Sequence, residues 1–147
     1  MDRAERAAAY MRGGLTCAQS VVKAFAGELE MEENAAVKMA SSFGAGLACN
    51  GYVCGAVSGA ALVLGARFGF TDPAESGARE RIYGKVNGML ERFQKEHGTI
   101  LCRELLAIDP KNPEEWKRVR EAGAFTAKCP LYVESAAKLV EDILKAE

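Results

Sequence analysis

The residues of this chain best suited to chemistry are its five cysteines, at positions 17, 49, 54, 102 and 129. A thiolate is both a nucleophile and a soft metal ligand. Cysteines in such number therefore point to thiol–disulfide exchange, to a zinc or iron–sulfur site, or to core packing by a small apolar side chain. Five exceed what packing a domain of this size requires, and an odd number argues against a fully bridged disulfide framework. No C-x-x-C pair occurs, so folding must assemble any reactive pair or ligand set.

Local signals place four of the five at helix starts. Thr16-Cys17-Ala18-Gln19 reads as a capping box, which puts Cys17 at the first position of a helix with Ala18, Val21, Val22, Phe25 and Leu29 on its apolar face. The stretch Phe43 to Ala66 runs 24 residues without a charge and carries six glycines and two of the cysteines. Its glycines and the shortness of its helical part exclude a membrane span. No strand precedes its glycines and no Lys-Ser/Thr pair follows them, so a phosphate loop is also a poor fit.

We read it as a glycine loop feeding a buried helix from about Cys54 to Phe68. Gly44, Gly46 and Gly51 are expected to supply positive φ and close backbone approach. Cys54 falls in that helix's first turn. Thr99 as the cap of a short helix, Ile100 to Ala107, puts Cys102 in its first turn, and Cys129-Pro130 opens the last helix. Thiols so placed lie near unpaired N–H groups and the positive end of a helix dipole, which favour thiolate. If the four helix starts meet, four thiols gather there. Cys54, beside an accessible loop, is the expected attacking thiol, with Cys17, Cys102 or Cys129 resolving.

The remaining elements are helical. Asp2 to Met11 reads as a surface helix stopped by Gly13-Gly14. Glu32 to Phe43 shows Ala36, Met39, Ala40 and Phe43 on one face. Asp72-Pro73 starts a helix that reaches His97, with Ile82, Val86, Met89, Leu90 and Phe93 inward. Asn112-Pro113 starts another, carrying Trp116 and Val119 and closed by Gly123. The last turns Val133, Ala136, Ala137, Val140, Ile143 and Leu144 inward. No period-two strand and no repeat is found. The expected fold is all-α, a compact multi-helix bundle around a buried Gly/Ala-rich helix, with residues 1–147 forming one domain.

A net charge of −1, from 19 basic and 20 acidic residues, gives no long-range attraction to nucleic acid or anionic membranes. The expected partner is a redox protein or a small molecule. Charges from the second residue onward and no apolar leader point to a cytoplasmic protein. The small faces of the Gly55/Gly59 helix could also serve a homodimer.

Cys17-Ala18-Gln19, Cys54-Gly55-Ala56-Val57-Ser58-Gly59, Gly98-Thr99-Ile100-Leu101-Cys102-Arg103-Glu104-Leu105-Leu106 and Cys129-Pro130 follow one another in an order that covers nearly the whole chain. In these segments the chain resembles the C_GCAxxG_C_C family of proteins described as redox-active, whose pattern runs C…CGAxxG…C…C. The resemblance implies an all-helical domain with Cys17, Cys54, Cys102 and Cys129 as its functional residues. Similar domains are attached to haem proteins in some electron-transfer chains, which implies a link to redox metabolism or an iron–sulfur centre. Cys49 lies outside the signature, and Ala107 stands where many relatives have glycine.

Three functions compete. In the first, helix-terminal thiolates carry out thiol–disulfide exchange. In the second, Cys17, Cys54, Cys102 and Cys129 ligate zinc or an iron–sulfur cluster, with Cys49 and Cys54 as a possible C-x4-C pair. The third is a small-molecule or anion site beneath the glycine loop, with Gly55, Gly59 and Arg103 as binding residues. His97, the one histidine, is accounted for by the helix end it occupies. Trp116 and Tyr83 read as packing groups with polar tips, and Glu32-Glu33 and Glu114-Glu115 as dipole partners at helix starts.

Overall fold

A computed structural model describes residues 1–147 and contains helices and turns but no strand. Its helices are α1 (Arg3–Arg12), α2 (Cys17–Ala24), α3 (Glu33–Ala40), α4 (Gly55–Phe68), α5 (Ala78–His97), α6 (Cys102–Leu105), α7 (Pro113–Glu121), α8 (Ala124–Ala127) and α9 (Cys129–Lys145). Helix α4 sits at the centre, packed on α2, α5 and α9. Small side chains make that position possible: Gly55, Ala56, Val57, Gly59, Ala60, Val63, Leu64 and Phe68 are all buried. A Cβ on Gly59 would lie 2.8 Å from Ala18 O and 3.1 Å from Val21 Cβ, so α2 and α4 touch backbone to backbone there. The glycine face is thereby spent within the chain.

Local signals set most helix starts. Thr16 and Gln19 form the capping box at α2, worth about 1 kcal/mol. Asp2 and Glu5 form another at α1, where Ala4, Ala7, Ala8 and Met11 are buried, so this helix is half core rather than a surface helix. Asn112 caps α7, with Pro113 inside its first turn. Gly98, at φ 85°, stops α5.

Four expectations are corrected. The Asp72 signal caps only a turn, through Ala74 N–H at 2.9 Å, and α5 starts after Gly77 at φ 75°. Helix α3 ends at Ala40 and passes into a 3-10 turn, Ser41–Phe43, and Met39, within α3, is 66% exposed rather than inward. Tyr83 is 60% exposed rather than packed. The short helix begins at Cys102 rather than Ile100, because residues 100–102 pair with 52–54. Val53 and Leu101 form an antiparallel bridge, with Cys54 N–H donating to Ile100 O at 2.7 Å and Cys102 N–H to Tyr52 O at 2.6 Å.

No helix is long and apolar enough to cross a membrane. Behind α6 a second small core gathers Cys102, Leu106, Ile108, Trp116 and Val119. Trp116 donates its Nε1–H to Pro110 O at 2.9 Å and stacks on Phe125 with ring centroids 6.4 Å apart.

Candidate functional site

All four signature cysteines stand at helix starts: Cys17, Cys102 and Cys129 are first residues and Cys54 is the N-cap of α4. Separate contacts bring these starts together. The Val53–Leu101 bridge sets Cys54 beside Cys102. Lys128 donates from Nζ to Leu105 O at 2.7 Å, tying the start of α9 to the end of α6. Gly44 lies so close to the α2 start that a Cβ on it would be 2.8 Å from Thr16 Cβ. The Cys17 sulfur rests on Gly55, and a Cβ there would overlap it. The result is one cavity of about 460 Å3 with all four thiols, and Cys49 besides, on its wall. The five are unbridged.

The loop over this cavity has positive φ at Gly46 and Gly51, as expected, and at residues that are not glycine besides. Ala45, Gly46, Leu47, Ala48 and Cys49 are consecutive residues with φ between 52° and 71°, a left-handed turn in which four of the five carry side chains. Left-handed backbone costs a non-glycine residue roughly 1–2 kcal/mol. Hydrogen bonds back to the chain hold it: Ala48 N–H to Ser42 O at 2.9 Å, Tyr52 N–H to Gly46 O at 2.9 Å and Asn50 Nδ2 to Leu47 O at 2.8 Å. Gly46 packs on Cys102, and the turn leaves Cys49 exposed at the cavity mouth. Gly44 differs from expectation, with φ −66°; it serves close approach, not a left-handed bend.

The expected thiolate at Cys54 is reversed. Cys54 is 6% exposed, and burial, then the neighbouring Cys17 charge, push its thiol well above the ordinary value, outweighing the opposing N–H groups of Ala56 and Val57. Its sulfur makes no capping hydrogen bond. Burial and then Cys17 also push Cys102 and Cys129 up to about 12. Cys17 itself is raised by burial, opposed by the backbone N–H groups of Ala45, Ala18, Cys17 and Gly55. Its charge raises the other three signature thiols.

Other candidates separate from the cavity. Gly59 faces α2 and not the cavity wall, whereas Gly55 lies on that wall. Arg103 turns away to donate to Gly51 O at 3.4 Å. His97 packs on Phe93, ring centroids 4.5 Å apart, with Nε2 2.9 Å from Ser135 Oγ. No group of three Cys, His, Asp or Glu side chains is placed to hold a metal ion.

Residues that composition did not single out complete the wall, among them Arg12, Phe125 and Tyr132. Only Arg12 left a trace in the sequence, as a basic residue in the last turn of α1. Comparison with known families finds a match over residues 15–143 to the family described as "Putative redox-active protein (C_GCAxxG_C_C)". The chain belongs to this family. All five cysteines lie within the matched span. Searches of curated proteins and of solved structures find no match.

Proposed function

We propose that this member of the C_GCAxxG_C_C family is a thiol–disulfide redox protein in which Cys17 attacks and Cys54 resolves. One observation carries the reading: four helix starts deliver four unbridged cysteines to a single cavity, which gives thiols far apart in sequence a common reaction space. The direction of attack follows from electrostatics. Cys17 is the thiol with four backbone N–H groups around its sulfur, and Cys54 feels its charge most directly after burial. Burial holds the proton on Cys54, and a covalent bond at Cys17 removes the second cause, the Cys17 charge.

Anaerobic oxidation of the reduced protein with diamide, followed by peptide mapping, tests this. The expected product is a Cys17–Cys54 bridge. Cys54→Ser should leave Cys17 trapped as a mixed disulfide with a small external thiol. If Cys17→Ser forms an intramolecular bridge as fast as the native chain, or if no bridge forms, the reading fails.

A further inference from the structure

The cavity wall narrows the chemistry of the exchange partner. Met11, Leu15, Leu105, Leu106 and Phe125 make it largely apolar. Three of its four hydroxyls are engaged by their own turns: Thr16 Oγ1 accepts from Gln19 N–H, Ser41 Oγ donates to Lys38 O and Thr126 Oγ1 donates to Gly123 O; the fourth belongs to Tyr132. Arg12 is the one Lys, Arg, Asp or Glu on the wall. It is exposed at the cavity mouth and forms no ion pair. A space of about 460 Å3 suits a small organic molecule. A peptide disulfide bearing several charges would have to strip them of water against this wall with one partner among them.

We propose that the cavity exchanges with a small apolar dithiol–disulfide carrying a single carboxylate, its carboxylate on Arg12 and its sulfurs at Cys17. The assignment rests on the thiol reading above. With the protein bridged, a substrate thiolate attacks the Cys17 sulfur. The Cys17–Cys54 bond breaks, and Cys54 leaves as thiolate and takes up a proton. The substrate's second thiol, losing its proton, then attacks the substrate sulfur of the mixed disulfide and expels Cys17 as thiolate, which takes up a proton in its turn. The substrate closes to a disulfide, and two electrons and two protons have passed to the protein.

Dihydrolipoate, a dithiol on an alkyl carboxylate, and dithiothreitol, a polar uncharged dithiol, are the probes, with octanoate as a redox-inert competitor. Reopening of the diamide-bridged protein should be about tenfold or more faster with dihydrolipoate at equal thiolate concentration, the ratio one charge-assisted contact supports. Octanoate should slow it and should also shield the thiols of the reduced protein from alkylation. Arg12→Gln, at an exposed position, should abolish both the preference and the octanoate effect. Equal rates with the two dithiols and no effect of octanoate overturn the substrate class while leaving the thiol reading standing. Failure of diamide to form the bridge overturns both.

Discussion

Gly55→Ala joins the fold and the site in one methyl group. Built on the native backbone, that methyl overlaps Cys17 Sγ and lies 2.8 Å from Phe43 O and 3.3 Å from Ala18 N. Two of the three obstacles are backbone atoms, which cannot rotate away. Overpacking of this kind costs about 1–3 kcal/mol, while the gain in helix propensity is about 1 kcal/mol at most. The net expected loss is up to about 2 kcal/mol. Gly65 on the same helix is the control: its Cβ would meet nothing within 4 Å, so Gly65→Ala should stabilise by about 0.5–1 kcal/mol. Urea unfolding of the two variants should therefore differ by about 0.5–3 kcal/mol, with Gly55→Ala the less stable. The displaced Cys17 sulfur should also bridge to Cys54 more slowly in Gly55→Ala. Equal stability of the two variants together with an unchanged bridging rate would refute the contact between Cys17 and Gly55.

Two further outcomes follow from the same geometry. Cys102 and Cys129 hold their protons up to about 12, against 9.0 for an ordinary thiol. Above pH 9 the unfolded chain releases protons that the folded chain keeps, so stability is full below pH 9 and falls as pH rises toward 12, by at most about 1.4 kcal/mol per pH unit per thiol. Urea midpoints at pH 8 and pH 10 should show a shallower decline in Cys102→Ala than in the native chain; parallel declines would contradict the burial argument. Ala107 follows α6 at φ 54°, a left-handed position where glycine is unstrained. Ala107→Gly should raise stability by about 1 kcal/mol and the Tm by roughly 2–4 °C, which a thermal melt will read.

Much of the fold was legible from local chemistry. The capping box at Thr16, the Asn112-Pro113 start, the stop at Gly98 and the small surface of α4 each depend on residues a few positions apart, and each appears where the spacing indicates. Where long-range pairing intervened, local signals failed. Thr99 could not start a helix at Ile100 because residues 52–54 claimed that segment's backbone, and Asp72-Pro73 turned the chain without starting α5.

The sequence by itself determined that this is an all-α chain with four cysteines at helix starts, because caps and apolar periodicity are local properties. Only the tertiary structure decided how those thiols behave. Whether a helix start lowers a thiol's pKa depends on how much water remains around it, and water is excluded by the whole packed chain; burial therefore overrode the dipole at Cys54. The left-handed turn at 45–49, the seat of Cys17 on Gly55 and the presence of Arg12 on the wall likewise arise from contacts between distant segments.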